Sequence, residues 1–155
     1  MIIAKNIKFS YDQLKVLNDI SLEINKGEFI SIVGSSGAGK TTLLNILGTL
    51  QKLQYGSLKI NNQEIKNLND TQLSSFRNEH IGFVFQFHNL LPEFTVLENV
   101  CLPALINKGN KVKIEQKAKQ ILENLHMSDK INQKPNELSG GEQQRVSVAR
   151  SLINS

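Results

Sequence analysis

Gly34-Ser35-Ser36-Gly37-Ala38-Gly39-Lys40-Thr41 decides how this chain is read. The stretch fits G-x-x-x-x-G-K-[ST]. The nearly continuous apolar run Phe29-Ile30-Ser31-Ile32-Val33 precedes it, and Leu43, Leu47 and Leu50 follow at helical spacing. The run reads as a strand buried on both faces, and Thr41 to Leu50 reads as a helix. Glycines let successive backbone N–H groups curl toward an anion, and the helix N-terminus adds partial positive charge, so the loop suits phosphate. In that chemistry Gly34, Ser35, Ser36, Gly37, Ala38, Gly39 and Thr42 bind ATP. Lys40 reaches the β- and γ-phosphates as a catalytic cation, and the Thr41 hydroxyl ligates Mg²⁺.

Outward from the loop, Ile7, Phe9 and Tyr11 alternate with Lys8 and Ser10, and Ile20, Leu22 and Ile24 alternate with Ser21, Glu23 and Asn25. Both segments predict half-buried antiparallel strands. Further strands are expected at Ser57 to Ile60 and Ile81 to Phe85, with a short helix from about Asp70 to Asn78 between them. Ile114, Ala118, Ile121, Leu122 and Leu125 mark an amphipathic helix. From Ser139 onward, Val146, Ala149, Leu152 and Ile153 share one helical face. β-rich sequence followed by helix-rich sequence predicts a nucleotide-binding core carrying a helical lobe.

The bulk numbers exclude several classes. A chain of 155 residues is long enough for one domain with a real core, and 39% hydrophobic with 21% charged residues is near the soluble average. Apolar stretches such as Val100 to Ile106 fall short of the roughly 20 residues a membrane span needs. The start, Met1 to Lys5, lacks the layout of a signal peptide, so a cytoplasmic protein is expected. A net charge of +4, spread along the chain, gives no argument for nucleic acid. Cys101, alone and in an apolar run, reads as a buried structural thiol. His88 and His126 lack metal-ligand spacing and read as surface histidines.

A second motif, Leu138-Ser139-Gly140-Gly141-Glu142-Gln143-Gln144-Arg145, begins with a capping box, Ser139 with Glu142 three residues later. A cap does not account for two glycines in a first turn, where each costs about 1 kcal/mol relative to Ala. Glycines there let a ligand approach the N–H groups, so Ser139, Gly140 and Gly141 read as a second phosphate-contacting site.

This string resembles the signature of ATP-binding-cassette (ABC) ATPases, and the resemblance runs over the whole chain. It implies an α/β P-loop core with an antiparallel β subdomain, to about residue 86, and a helical lobe at about 87 to 150. It also implies a head-to-tail dimer with a second copy, in which the signature meets nucleotide held by the partner. Tyr11 resembles the aromatic that stacks on adenine, although a strand tyrosine packed beside a neighbour fits as well. Gln86 resembles the glutamine that senses Mg²⁺ and the attacking water, a catalytic and metal-facing role. The run from Phe85 to Val100 is similar to the lipoprotein-releasing and macrolide-exporter type. That likeness implies an integral membrane permease as partner and a position on the cytoplasmic face of the inner membrane. Phe87, Leu90, Leu91 and Phe94 either cap the lobe or dock that partner.

The family pattern continues with an apolar strand ending in an aspartate that holds Mg²⁺, a glutamate that activates water and a switch histidine. None of Asp12, Asp19, Asp70 and Asp129 follows an apolar run. The resemblance therefore implies a sequence that stops before that strand, and an ATPase whose residues 1–155 bind ATP without hydrolysing it. A soluble ABC protein outside transport and an inert truncated nucleotide-binding module remain as alternatives.

Overall fold

A computed structural model describes residues 1–107 and 109–155. The alternating segments at the start form a hairpin of β1 (Ile2–Tyr11) and β2 (Leu14–Ile24), and β3 (Tyr55–Ile60) and the short β4 (Gln63–Glu64) complete an antiparallel sheet in the order β2-β1-β3-β4. Alternation puts Ala4, Ile7 and Phe9 of β1 on the buried side, and Leu17, Leu58 and Ile60 join them in the core. Helix α1 (Lys40–Leu47) lies against β2 and buries Leu43, Ile46 and Leu47. These elements belong to a first compact unit, Met1–Ser75.

The second unit, Phe76–Ser155, is helical. The unit boundary falls within α2 (Asp70–His80). Helices α3 (Val96–Ile106), α4 (Lys111–Asn124) and α5 (Gly140–Leu152) pack on one another. Their core joins Val96, Val100 and Cys101 to Ile114, Ala118 and Leu122, and to Val146, Ala149 and Ile153, with Met127 and Leu138 closing it. Full burial of a side chain such as Leu122 stabilises by about 1.5–3 kcal/mol. Cys101 lies inside this cluster, where burial pushes its thiol pKa up to about 11, as expected of a structural thiol.

Two expected strands are absent. Phe29–Val33 and Ile81–Phe85 form no ladder with any described residue. An apolar run becomes a strand only when a neighbour accepts its backbone hydrogen bonds, and the one sheet among the described residues is antiparallel and does not include either run. Phe29 is 96% and Val33 85% exposed. At 81–85 the period-two pattern persists: Ile81, Phe83 and Phe85 are half-buried, and the rings of Phe83 and Phe85 stack at 5.3 Å. Leu152, expected on the buried face of the last helix, is 43% exposed, because that face turns Val146, Ala149 and Ile153 inward and leaves Leu152 at its margin.

Candidate functional site

How each α-helix begins separates the helix after the glycine loop from the other α-helices. A side-chain oxygen caps α2, α3, α4 and α5: Asn69 accepts from the Gln72 N–H, Thr95 from Glu98, Asn110 from Lys113 and Ser139 from Glu142. Helix α1 has no side-chain cap and no acidic residue in its first turn. Its early N–H groups have no intrahelical partners, and its end of the helix dipole is not countered by a carboxylate, which is what an anion requires.

The loop's shape follows from Gly39. Its φ is +83°, and a Cβ there would sit 2.9 Å from a Leu17 methyl and 3.0 Å from the Val16 carbonyl. Only glycine lets the loop turn into the helix while pressed on β2. Lys40 folds back so that Nζ donates to the carbonyls of Gly34 at 2.9 Å and Ser35 at 2.6 Å. Ser35, Ser36, Gly37, Ala38 and Thr41 are exposed, whereas Thr42 is buried on the core side of α1. Tyr11 belongs to the same neighbourhood. Phe9 pairs with Leu17, the residue Gly39 presses on, and Tyr11 is two residues further along β1, about 7 Å at strand rise. Its ring meets Phe9 edge-on at 4.9 Å and is about half exposed, so neighbour packing and a free face coexist.

In the second unit, Ser139, Gly140 and Gly141 are exposed at the start of α5. A Cβ added to either glycine would meet nothing within 4 Å, so packing does not require glycine here. The capping box is formed: the Ser139 N–H donates to Glu142 at 2.7 Å, which holds that carboxyl below its usual pKa. Gln86 is exposed. Beyond it the apolar run divides: Leu90 packs on the helical core, while Phe87 is 82%, Leu91 43% and Phe94 37% exposed.

That exposed turn has a support the sequence reading missed. Asn99 is fully buried; its Oδ1 accepts from the Leu91 N–H at 2.8 Å, and its Nδ2 donates to the carbonyls of Leu91, Phe94 and Thr95 at 3.0–3.1 Å. The clue was an amide between Val96 and Val100 on an apolar helical face, opened by the capping box of Thr95 and Glu98. Among the described residues no group of three His, Cys, Asp or Glu side chains could hold a metal, and no helix is long and apolar enough to cross a membrane.

The ABC transporter family profile matches residues 17–155. The chain belongs to the ABC transporter ATPase family. This cassette is 55% identical over 97% of its length to the lipoprotein-releasing system ATP-binding protein LolD of Cytophaga hutchinsonii, covering 69% of that protein. It is 47% identical over 99% of its length to the macrolide export ATP-binding/permease protein MacB of Campylobacter jejuni, of which it covers 24%. Among solved structures, the cassette is similar to MJ0796, a bacterial ABC transporter cassette solved as a dimer. The TM-score is 0.91 at 42% identity, covering 99% of this chain and 70% of the other. A post-hydrolysis state of MJ0796 with ADP and Pi gives a TM-score of 0.90 at 40% identity, again covering 99% and 70%.

Proposed function

We propose that this chain is the ATP-binding subunit of a membrane complex that extracts or exports a substrate, a lipoprotein by likeness to LolD, working as a head-to-tail dimer on the cytoplasmic face of the inner membrane. The observation that carries the reading is the uncapped start of α1 behind Lys40, in a chain 55% identical to a lipoprotein-releasing ATP-binding protein. Gly34 to Thr42 bind the phosphates through backbone N–H groups and Lys40, and Tyr11 offers a ring face to the adenine. The open glycines of the signature serve nucleotide held by the second copy. The Thr41 hydroxyl and the Gln86 amide oxygen are hard donors of the kind Mg²⁺ takes. When bound, the ion neutralises charge on the β- and γ-phosphates. In this reading the nucleotide core with its β subdomain runs to about residue 86 and the lobe takes about 87–150, whereas the compact units divide at Ser75.

Replacing Lys40 by Ala removes a charge-assisted contact to phosphate, so ATP affinity should fall by about 1.5–3 kcal/mol, roughly 10- to 150-fold. Equal affinities in a calorimetric titration would count against the phosphate role.

The transport reading is tested at the exposed turn. Phe87, Leu91 and Phe94 show water more apolar surface than a loop ordinarily does, and Asn99 holds the turn in one shape, which suits docking of a permease. In the intact gene product Leu91→Glu should abolish copurification with the membrane subunit and leave ATP affinity within about twofold, since rim charges act locally. Retention of the partner would reduce the run to lobe packing.

A further inference from the structure

Three contacts tie the stretch from Asn78 to Asn89, which contains Gln86, to the C-terminal end of α5 and the turn that follows it. The Asn154 Nδ2 donates to the Asn78 carbonyl at 2.8 Å. Gly82 lies so close to α5 that a Cβ built on it would collide with the Ser151 carbonyl oxygen. Just past Gln86, the Arg150 guanidinium donates from Nη1 to the Asn89 carbonyl and from Nη2 to the His88 carbonyl, each at 2.7 Å.

The last contact is unusual in what it holds. His88 and Asn89 are consecutive residues with left-handed backbones, φ +54° and +47°, a conformation that side-chain-bearing residues adopt only when their surroundings impose it. Two parallel donors from one planar guanidinium fix the orientation of both peptide units, which a lysine ammonium, a single point of charge, does not reproduce. The guanidinium is half-buried and burial lowers its pKa, yet it stays charged at any working pH, so the two carbonyls are its compensation for lost water. Helix α5 thus bears the signature glycines at its first turn and the clamp on the Gln86 segment at its last, about 15 Å apart.

We infer that Arg150 is a positioning residue for Gln86, acting through the carbonyls of His88 and Asn89 and making α5 a rigid bar between the signature and the glutamine. The inference rests on the reading of Gln86 as the residue facing Mg²⁺ and the attacking water. It is tested in the intact gene product with Arg150→Lys, Gln86→Ala and the double variant, measuring turnover against MgCl₂ concentration beside ATP affinity and thermal unfolding. Arg150→Lys should lower kcat about 10-fold or more and raise the half-saturating Mg²⁺ concentration several-fold, with ATP Kd within about twofold, since misplacement of a catalytic group is felt in rate before binding. Added to Gln86→Ala it should change kcat by less than about twofold, because residues acting through one another are not additive. Wild-type kcat and Mg²⁺ dependence in Arg150→Lys would overturn the inference, as would a loss that adds in full to that of Gln86→Ala, or a fall in ATP affinity and melting temperature that accounts for the rate. If Gln86→Ala alone leaves turnover and Mg²⁺ dependence unchanged, the reading of Gln86 fails and the inference with it; a loss in Gln86→Ala but not in Arg150→Lys overturns only the inference. Should Arg150→Lys not fold, Gly82→Ala, which forces the same segment off Ser151, is expected to give the same rate loss and Mg²⁺ shift, and its failure to do so is equally decisive.

Discussion

Expressed as a polypeptide, residues 1–155 should take up ATP and release phosphate no faster than a protein-free control. Phosphoryl transfer to water depends on positioned charge: an acidic residue steadying Mg²⁺ and a group aligning the attacking water, beside the lysine and hydroxyl at the phosphates. In the proposed reading Lys40, Thr41 and Gln86 supply part of that set. The four aspartates are all exposed and engaged elsewhere or open to water: Asp70 pairs with Lys52 at 2.8 Å, and Asp19 accepts from Asn6 at 2.9 Å. Removing one electrostatic element typically lowers rate about 10²- to 10³-fold, so the absence of several leaves nothing above background. Phosphate release by this polypeptide that Lys40→Ala abolishes would overturn the expectation and direct attention to substitute acids among its ten glutamates.

The second large effect is on stability. Asn99→Ala deletes four hydrogen bonds at a fully buried position and strands the Leu91 N–H and the Phe94 carbonyl beside a new cavity, while the Leu91 carbonyl keeps the Phe94 N–H. Each buried polar group left without a partner costs about 1–3 kcal/mol, so a loss of about 3–4 kcal/mol is expected, a large share of the 5–15 kcal/mol that holds a typical domain together. By comparison Thr95→Ala, which removes only the cap of α3, should cost about 1 kcal/mol. Denaturant unfolding of both variants checks the pair; a loss under about 1 kcal/mol for Asn99→Ala would mean that the turn finds other partners.

How legible these features were depends on how local their causes are. The hairpin, α1, α4 and α5 follow from alternation or helical spacing within ten or fifteen residues, and the capping box of Ser139 and Glu142 is visible in the sequence and formed in the structure. Helix α3 escaped notice because Pro103 interrupts an almost wholly apolar run, although Thr95 and Glu98 carry the same cap signal. Phe29–Val33 and Ile81–Phe85 have the apolar character of strands, and in Phe29–Val33 the setting before a glycine loop as well, whereas strand pairing depends on a partner elsewhere in the chain. The supports of the candidate site were hardest to see. Arg150 lies 61 and 62 residues from the carbonyls it clamps, and nothing in local periodicity reports such a contact.

The Lys40 ammonium already holds two oxygens, the carbonyls of Gly34 and Ser35, so in the proposed reading nucleotide capture is an exchange of partners rather than the filling of an empty hand. Before ATP arrives the lysine acts as a strut that keeps the loop closed on itself without leaving a bare cation. When phosphate takes the ammonium, those carbonyls return to water and the loop is held from outside, by the nucleotide, instead of from within. The affinity this residue contributes is therefore the difference between two sets of charge-assisted bonds.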